Sequence, residues 1–77
     1  MRSLSAIARD IRADWKPVNY AAKPYLDAMS GLDSINDQCI HDSGKSIVLY
    51  FLSNASSWRG DKARTIKAEL KALLKGN

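Results

Sequence analysis

Asp37, Cys39, His41 and Asp42 fall close together, and their side chains are of the types that ligate zinc or activate a nucleophile. A structural zinc site takes four ligands, usually from two Cys or His pairs. Cys39 and His41 are the chain's single cysteine and single histidine, so the pairs cannot be assembled. A Cys39 thiolate activated by His41 fails on geometry, because alternate residues of a loop rarely converge and no third group orients the imidazole. A serine triad lacks any mark of a nucleophile elbow. The 8 acidic residues are scattered, without a pair spaced for acid–base work. The expectation is a non-enzyme with no cofactor and no metal.

"HDSGKS" (His41 to Ser46) carries the last residues of a phosphate-binding P-loop. The full pattern G-x-x-x-x-G-K-[ST] requires glycine where this chain has Cys39, and a preceding strand as well. What remains is a capping loop, with Ser43, Gly44, Lys45 and Ser46 at a helix N-terminus where backbone N–H groups would face an anion. "SSWRGD" (Ser56 to Asp61) contains the adhesion tripeptide Arg59-Gly60-Asp61, which needs an exposed extended loop on a secreted protein. Here the tripeptide runs into a helical pattern. Ser56 or Ser57 is expected to cap that helix, Asp61 to complement its positive end, and Trp58 to fold back onto the core.

The cations are the most informative group. At about 100° per residue, Arg64, Lys67, Lys71 and Lys75 lie within about 80° of one another beside an apolar face. Arg2, Arg9, Arg12 and Lys16 do the same near the N-terminus, opposite Asp10 and Asp14. Were the two helices neighbours, up to eight cations would merge into one surface suited to phosphates, joined by Arg59. Residues 47–71 also suggest a helix-turn-helix, with Gly60 in the turn and Arg64, Lys67 and Lys71 toward a groove. Ser56, Ser57 and Arg59 interrupt the hydrophobic run that motif carries. A different class of function would use Tyr20, Tyr25, Tyr50 and Trp58 as a surplus apolar surface for a protein partner or a second copy of the chain.

Four helices are needed to position these groups. Leu4, Ile7, Ala8, Ile11 and Trp15 make one stripe, with Ser3 or Ser5 as cap and Pro17 as stop. A second helix spans about Ala21 to Ser30, with Pro24 in its first turn, Gly31 as its end, and Tyr25, Ala28, Met29 and Leu32 inward. Residues 31–44 read as a loop. Residues 46–53 fit strand or helix. Helix is favoured, capped by Asp42 or Ser43, because a lone strand has no partner for its backbone groups and Ile47, Val48, Phe51, Leu52 and Ala55 form a stripe. Ala63, Ile66, Leu70, Leu73 and Leu74 line the last helix, which Gly76 ends.

The fold class predicted is all-α: one domain, residues 1–77, a compact bundle of about four short helices. With 77 residues and 45% apolar content, the chain has material for one modest core. Its net charge of +4 is unevenly placed, basic at both ends and mildly acidic between. The longest apolar run, Ile47 to Leu52, falls far short of the roughly 18 residues of a membrane span. Arg9, Asp10, Arg12 and Asp14 break any secretory leader, and a single cysteine suits a reducing compartment. A cytoplasmic protein without membrane contact is expected.

The blocks "YAAKPYLDAM" and "DSGKSIVLYFLSNASSWRGDKARTIKAELKALL" resemble a family of small uncharacterised proteins encoded on bacterial plasmids, conjugative elements and prophages. The likeness covers most of the chain and carries no catalytic motif. It departs at "QCIH" (Gln38 to His41), where the family has a Tyr- or Gly-rich loop, so Cys39 and His41 are poor candidates for a shared role. The resemblance implies an accessory protein of a mobile element: a DNA-handling factor, a regulator, or an inhibitor of host defence. Combined with the charge pattern, the leading expectation is a module binding nucleic acid or a nucleoprotein through Arg64, Lys67, Lys71 and Lys75, assisted by Arg59, Arg2, Arg9 and Arg12.

Overall fold

A computed structural model describes residues 2–39 and 42–76 of the chain, leaving the side chains of residues 38, 39, 42 and 76 undescribed. Helix α1 (Leu4–Asp14) begins at Ser3, whose Oγ accepts the Ala6 N–H at 3.1 Å. A helix leaves its first four N–H groups without internal partners. Here those of Leu4 and Ser5 donate to the carbonyls of Asp33 and Leu32, at 3.0 and 2.9 Å. The loop that follows α2 therefore closes the start of α1, which fixes these distant segments against each other. Trp15 ends the helix, and the Lys16–Pro17 peptide bond beyond it is cis.

Helix α2 (Lys23–Met29) is shorter than the pattern suggested, with Pro24 in its first turn as expected. Its inward residues differ too. Ala22, Leu26, Met29 and Leu32 are buried, whereas Tyr25 and Ala28 are only partly so. A seven-residue helix is held by its neighbours more than by its own stripe, so it turns its most compact aliphatic side chains inward. The Tyr25 ring lies at the edge against Tyr50, with centroids 5.4 Å apart.

The segment expected as plain loop is tightly bonded. Asp37 Oδ2 accepts the N–H groups of Asp33 and Ser34, at 3.0 and 3.2 Å. Two-residue strands β1 (Gln38–Cys39) and β2 (Asp42–Ser43) pair antiparallel, Gln38 with Ser43 and Cys39 with Asp42. Gly44 then passes so close to the chain that a Cβ there would stand 2.6 Å from the Ile35 carbonyl oxygen. No other residue fits without moving the backbone.

The apolar run is helical: α3 (Gly44–Ser53) starts at Ser43, whose Oγ accepts the Ser46 N–H at 3.2 Å. Ile47, Val48, Phe51 and Ala55 are buried and Leu52 is partly buried, as the stripe predicts. Helix α4 (Asp61–Gly76) buries Ala63, Ile66, Leu70 and Leu73. Its start corrects one expectation, because neither Ser56 nor Ser57 caps it. Gly60 takes φ +113° immediately before Asp61, a left-handed conformation that breaks any helix continuing from the serines. Asp61 does occupy the first turn, where its charge opposes the positive helix end.

The architecture is a four-helix all-α bundle with α3 packed on α2 and α4, and α1 touching both α2 and α4. Its radius of gyration, 11.1 Å, is close to the roughly 11.5 Å expected of a globule of this length. At the centre Trp15 stacks on Trp58 at 5.6 Å, and both meet the edge of Phe51, at 6.2 and 6.4 Å. The connection from Asn54 to Gly60 is seven residues long. A helix-turn-helix uses about three or four, so α3 and α4 do not form one.

Candidate nucleic-acid interface

Helices α1 and α4 are neighbours, as the merged-surface expectation required, but the edges that meet are the wrong ones. On α4, Lys62 and Glu69 lie on one side of the apolar face, and Arg64, Lys67, Lys71 and Lys75 on the other. On α1, Asp10 and Asp14 lie on one side, and Arg9, Arg12 and Lys16 on the other. Contact runs through the acidic edge of α1. Arg2 reaches across to Glu69 with two hydrogen bonds, 2.6 and 3.1 Å, while also pairing with Asp10. The Trp58 indole N–H donates to Asp14 Oδ2 at 2.8 Å. Asp10 and Glu69 are both held below their ordinary carboxyl pKa, chiefly by hydrogen bonds to Arg2.

The basic edge of α1 faces away from α4. Arg12 pairs with Asp27 of α2 and lies 3.3 Å from Ser30 Oγ. Arg9 is exposed. The two cationic stripes are thus separated by the apolar seam and do not merge. Arg2 and Arg12 are engaged by carboxylates, and Arg9 and Lys16 remain exposed.

Lys67 also departs from its expected role. Its Nζ donates to the carbonyls of Ala55 and Trp58, both at 2.7 Å, and lies 5.8 Å from the Trp58 ring centroid. Those carbonyls belong to the turn between α3 and α4, where that of Ala55 also accepts the Trp58 N–H at 3.1 Å. Lys67 clasps that turn to α4 rather than extending toward a ligand. Partial burial, followed by repulsion from Lys71 and Arg59, lowers its pKa from the usual lysine value.

Arg64, Lys71 and Lys75 remain exposed as a row along the outer edge of α4, with Arg59 exposed in the connection just before it. Among the described residues, the acid that reaches this row is Asp61, 3.4 Å from Arg64 with both side chains largely in water. Such a pair adds little and is readily exchanged for another anion. With a rise of 1.5 Å per residue, Arg64 to Lys75 spans about 16 Å. Trp58, Arg59, Gly60, Ala63, Arg64 and Lys67 line a shallow cleft at the row's N-terminal end.

The four aromatic candidates for partner contact separate just as clearly. Trp58 is 2% exposed and belongs to the core, so it offers no docking surface. Tyr25 is half-buried against Tyr50. Tyr20 is 92% exposed, and Leu49 and Tyr50, at 53% and 49%, add apolar surface on α3. No sequence pattern singles out Leu49, which sits on the outer side of an apolar run and is exposed through the helix's rotation alone.

The Asp37, Cys39, His41 and Asp42 group lies partly outside the described residues. Among the described residues no cluster of three or more His, Cys, Asp or Glu is placed to hold a metal ion. Nor, among them, is any helix long and apolar enough to cross a membrane. Comparison with protein-family models, curated proteins and solved structures finds no match.

Proposed function

We propose that this chain is a small non-enzymatic accessory protein, of the kind carried by bacterial mobile elements, that binds nucleic acid or a nucleoprotein through the outer edge of α4. The observation that carries the reading is the row Arg59, Arg64, Lys71 and Lys75. These four exposed cations, three on one edge of α4 and Arg59 just before it, face no stronger opponent among the described residues than the solvent-exposed Asp61. The mobile-element context rests on the resemblance of the Tyr20–Met29 and Asp42–Leu74 blocks, and cytoplasmic location follows from that context. Phosphate contacts from such a row supply affinity with modest sequence preference.

The test is a gel-shift or anisotropy titration against salt. Four phosphates neutralised on duplex DNA give a log–log slope of about −3.6, which is roughly a 150-fold loss of affinity between about 50 and about 200 mM salt. Lys71→Glu with Lys75→Glu abolishes binding under this reading. No complex at low salt refutes it.

A second reading, a protein-binding adaptor or inhibitor that docks a host protein or dimerises, is favoured by Leu49, Tyr50 and Tyr20 standing in water. A dimer mass in sedimentation, lost in Leu49→Ser/Tyr50→Ser, together with no nucleic-acid binding, selects it.

A further inference from the structure

The turn that carries Tyr20 is closed by its own hydrogen bonds and touches the connection that leads into α4. Asn19 Oδ1 accepts the Ala21 N–H at 2.8 Å, and its carbonyl accepts those of Ala22 and Lys23, at 3.0 and 3.1 Å. Its Nδ2 meets Ser57 Oγ at 3.4 Å, two residues before Arg59 in the α3–α4 connection. A fixed turn thus holds a tyrosine that is 92% exposed next to the loop bearing Arg59. Lys16 and Lys23, both exposed, flank the same turn.

An aromatic ring held in water beside cations matches single strands better than a duplex. Stacking needs an accessible base face, which duplex pairing hides, and is sequence-tolerant because every base has one. The two tryptophans cannot supply it, since both are in the core. Tyr20 can, and because the backbone of its turn is already ordered, stacking would cost only the rotamer freedom of the ring.

Resting on the nucleic-acid reading above, we infer that the protein takes single-stranded DNA or RNA, with the backbone along the α4 row and a base stacked on Tyr20. The experiment measures anisotropy of the full chain with labelled oligo(dT), oligo(U) and a mixed-sequence duplex of equal length. Single strands should bind more tightly than the duplex. Tyr20→Ala should weaken single-strand binding by about 5- to 150-fold, the range for losing one aromatic–base stack. Tyr20→Phe, which keeps the π-face, should restore it, and the salt slope should be the same in all three proteins. The ratio of oligo(dT) to oligo(U) affinity identifies which strand chemistry is preferred.

Duplex binding as tight as single-strand binding, or an unchanged affinity in Tyr20→Ala, overturns this inference while leaving the basic-edge reading intact. No binding of any of the three probes at low salt overturns both. Because Tyr20 packs on nothing that is lost with its ring, an unaltered melting temperature in Tyr20→Ala confirms that the variant reports on contact and not on folding.

Discussion

Lys67 is the residue where charge pattern and structure disagree most, and replacing it separates the two. In Lys67→Met the aliphatic stem is kept while both hydrogen bonds to the Ala55 and Trp58 carbonyls are removed. A hydrogen bond from a charged donor contributes about 1.5–3 kcal/mol. The side chain is only partly buried, the Ala55 carbonyl keeps the Trp58 N–H and water can reach both carbonyls, so we take a combined loss of about 2 kcal/mol, below the roughly 3–6 kcal/mol of two such bonds at full strength. A domain of this size has a total stability of about 4–12 kcal/mol. At about 4–8 °C per kcal/mol, melting should fall by about 8–16 °C, readable by far-ultraviolet circular dichroism. Nucleic-acid affinity measured well below that melting point should keep its salt slope. Lys71→Gln should do the opposite, leaving the melting temperature within a degree or two and reducing the slope by about one phosphate. A Lys67→Met protein that melts like the parent but loses a unit of salt slope would show that Lys67 serves the ligand, and would refute the clasp.

Other consequences follow from individual contacts. Trp58→Phe keeps a ring in the stack but removes the indole N–H to Asp14, and should cost about 1.5–3 kcal/mol in a urea titration; Asp14→Asn, which can still accept, should cost less. Gly44→Ala should lose about 1–3 kcal/mol because its methyl meets the Ile35 carbonyl, whereas Gly31→Ala, with 3.7 Å of room, should be close to neutral in the same assay. Arg2 lowers the pKa of Asp10 and Glu69, so its contribution is present above the ordinary carboxylate range and is lost as pH falls through the depressed values. The melting difference between the parent and Arg2→Gln should therefore be greatest near neutrality and should shrink progressively below about pH 4. A difference that is constant from pH 7 to about pH 2 would exclude the ion pairs as its source.

The existence and inward faces of α1, α3 and α4 could be read from the chain, because each carries an apolar stripe long enough to outvote local noise. A serine cap at Ser3 or Ser5 (the structure uses Ser3), Pro17 beyond the α1 end and Trp58 in the core were legible for similarly local reasons. The inward face of α2 was not. With seven residues it turns only about twice, so its packing partners, and not its own periodicity, select Leu26 over Tyr25. The α4 start was misread because serine favours caps in general, while the left-handed backbone at Gly60 follows from how the α3–α4 turn must fold back.

By itself, then, the sequence determined that four amphipathic segments would bury one core and that cations would lie beside the apolar faces of the outer two. Which cations remain available was decided by tertiary structure alone. Periodicity places a side chain on a flank of its own helix, but it says nothing about which flank the neighbour covers. Packing turned the Asp10/Asp14 edge of α1 toward α4, drew Arg2 and Arg12 to carboxylates, and folded Lys67 onto two carbonyls. Hydrogen bonds between groups far apart in the chain exist only after the core has fixed the helices, and those bonds define the basic edge that is left.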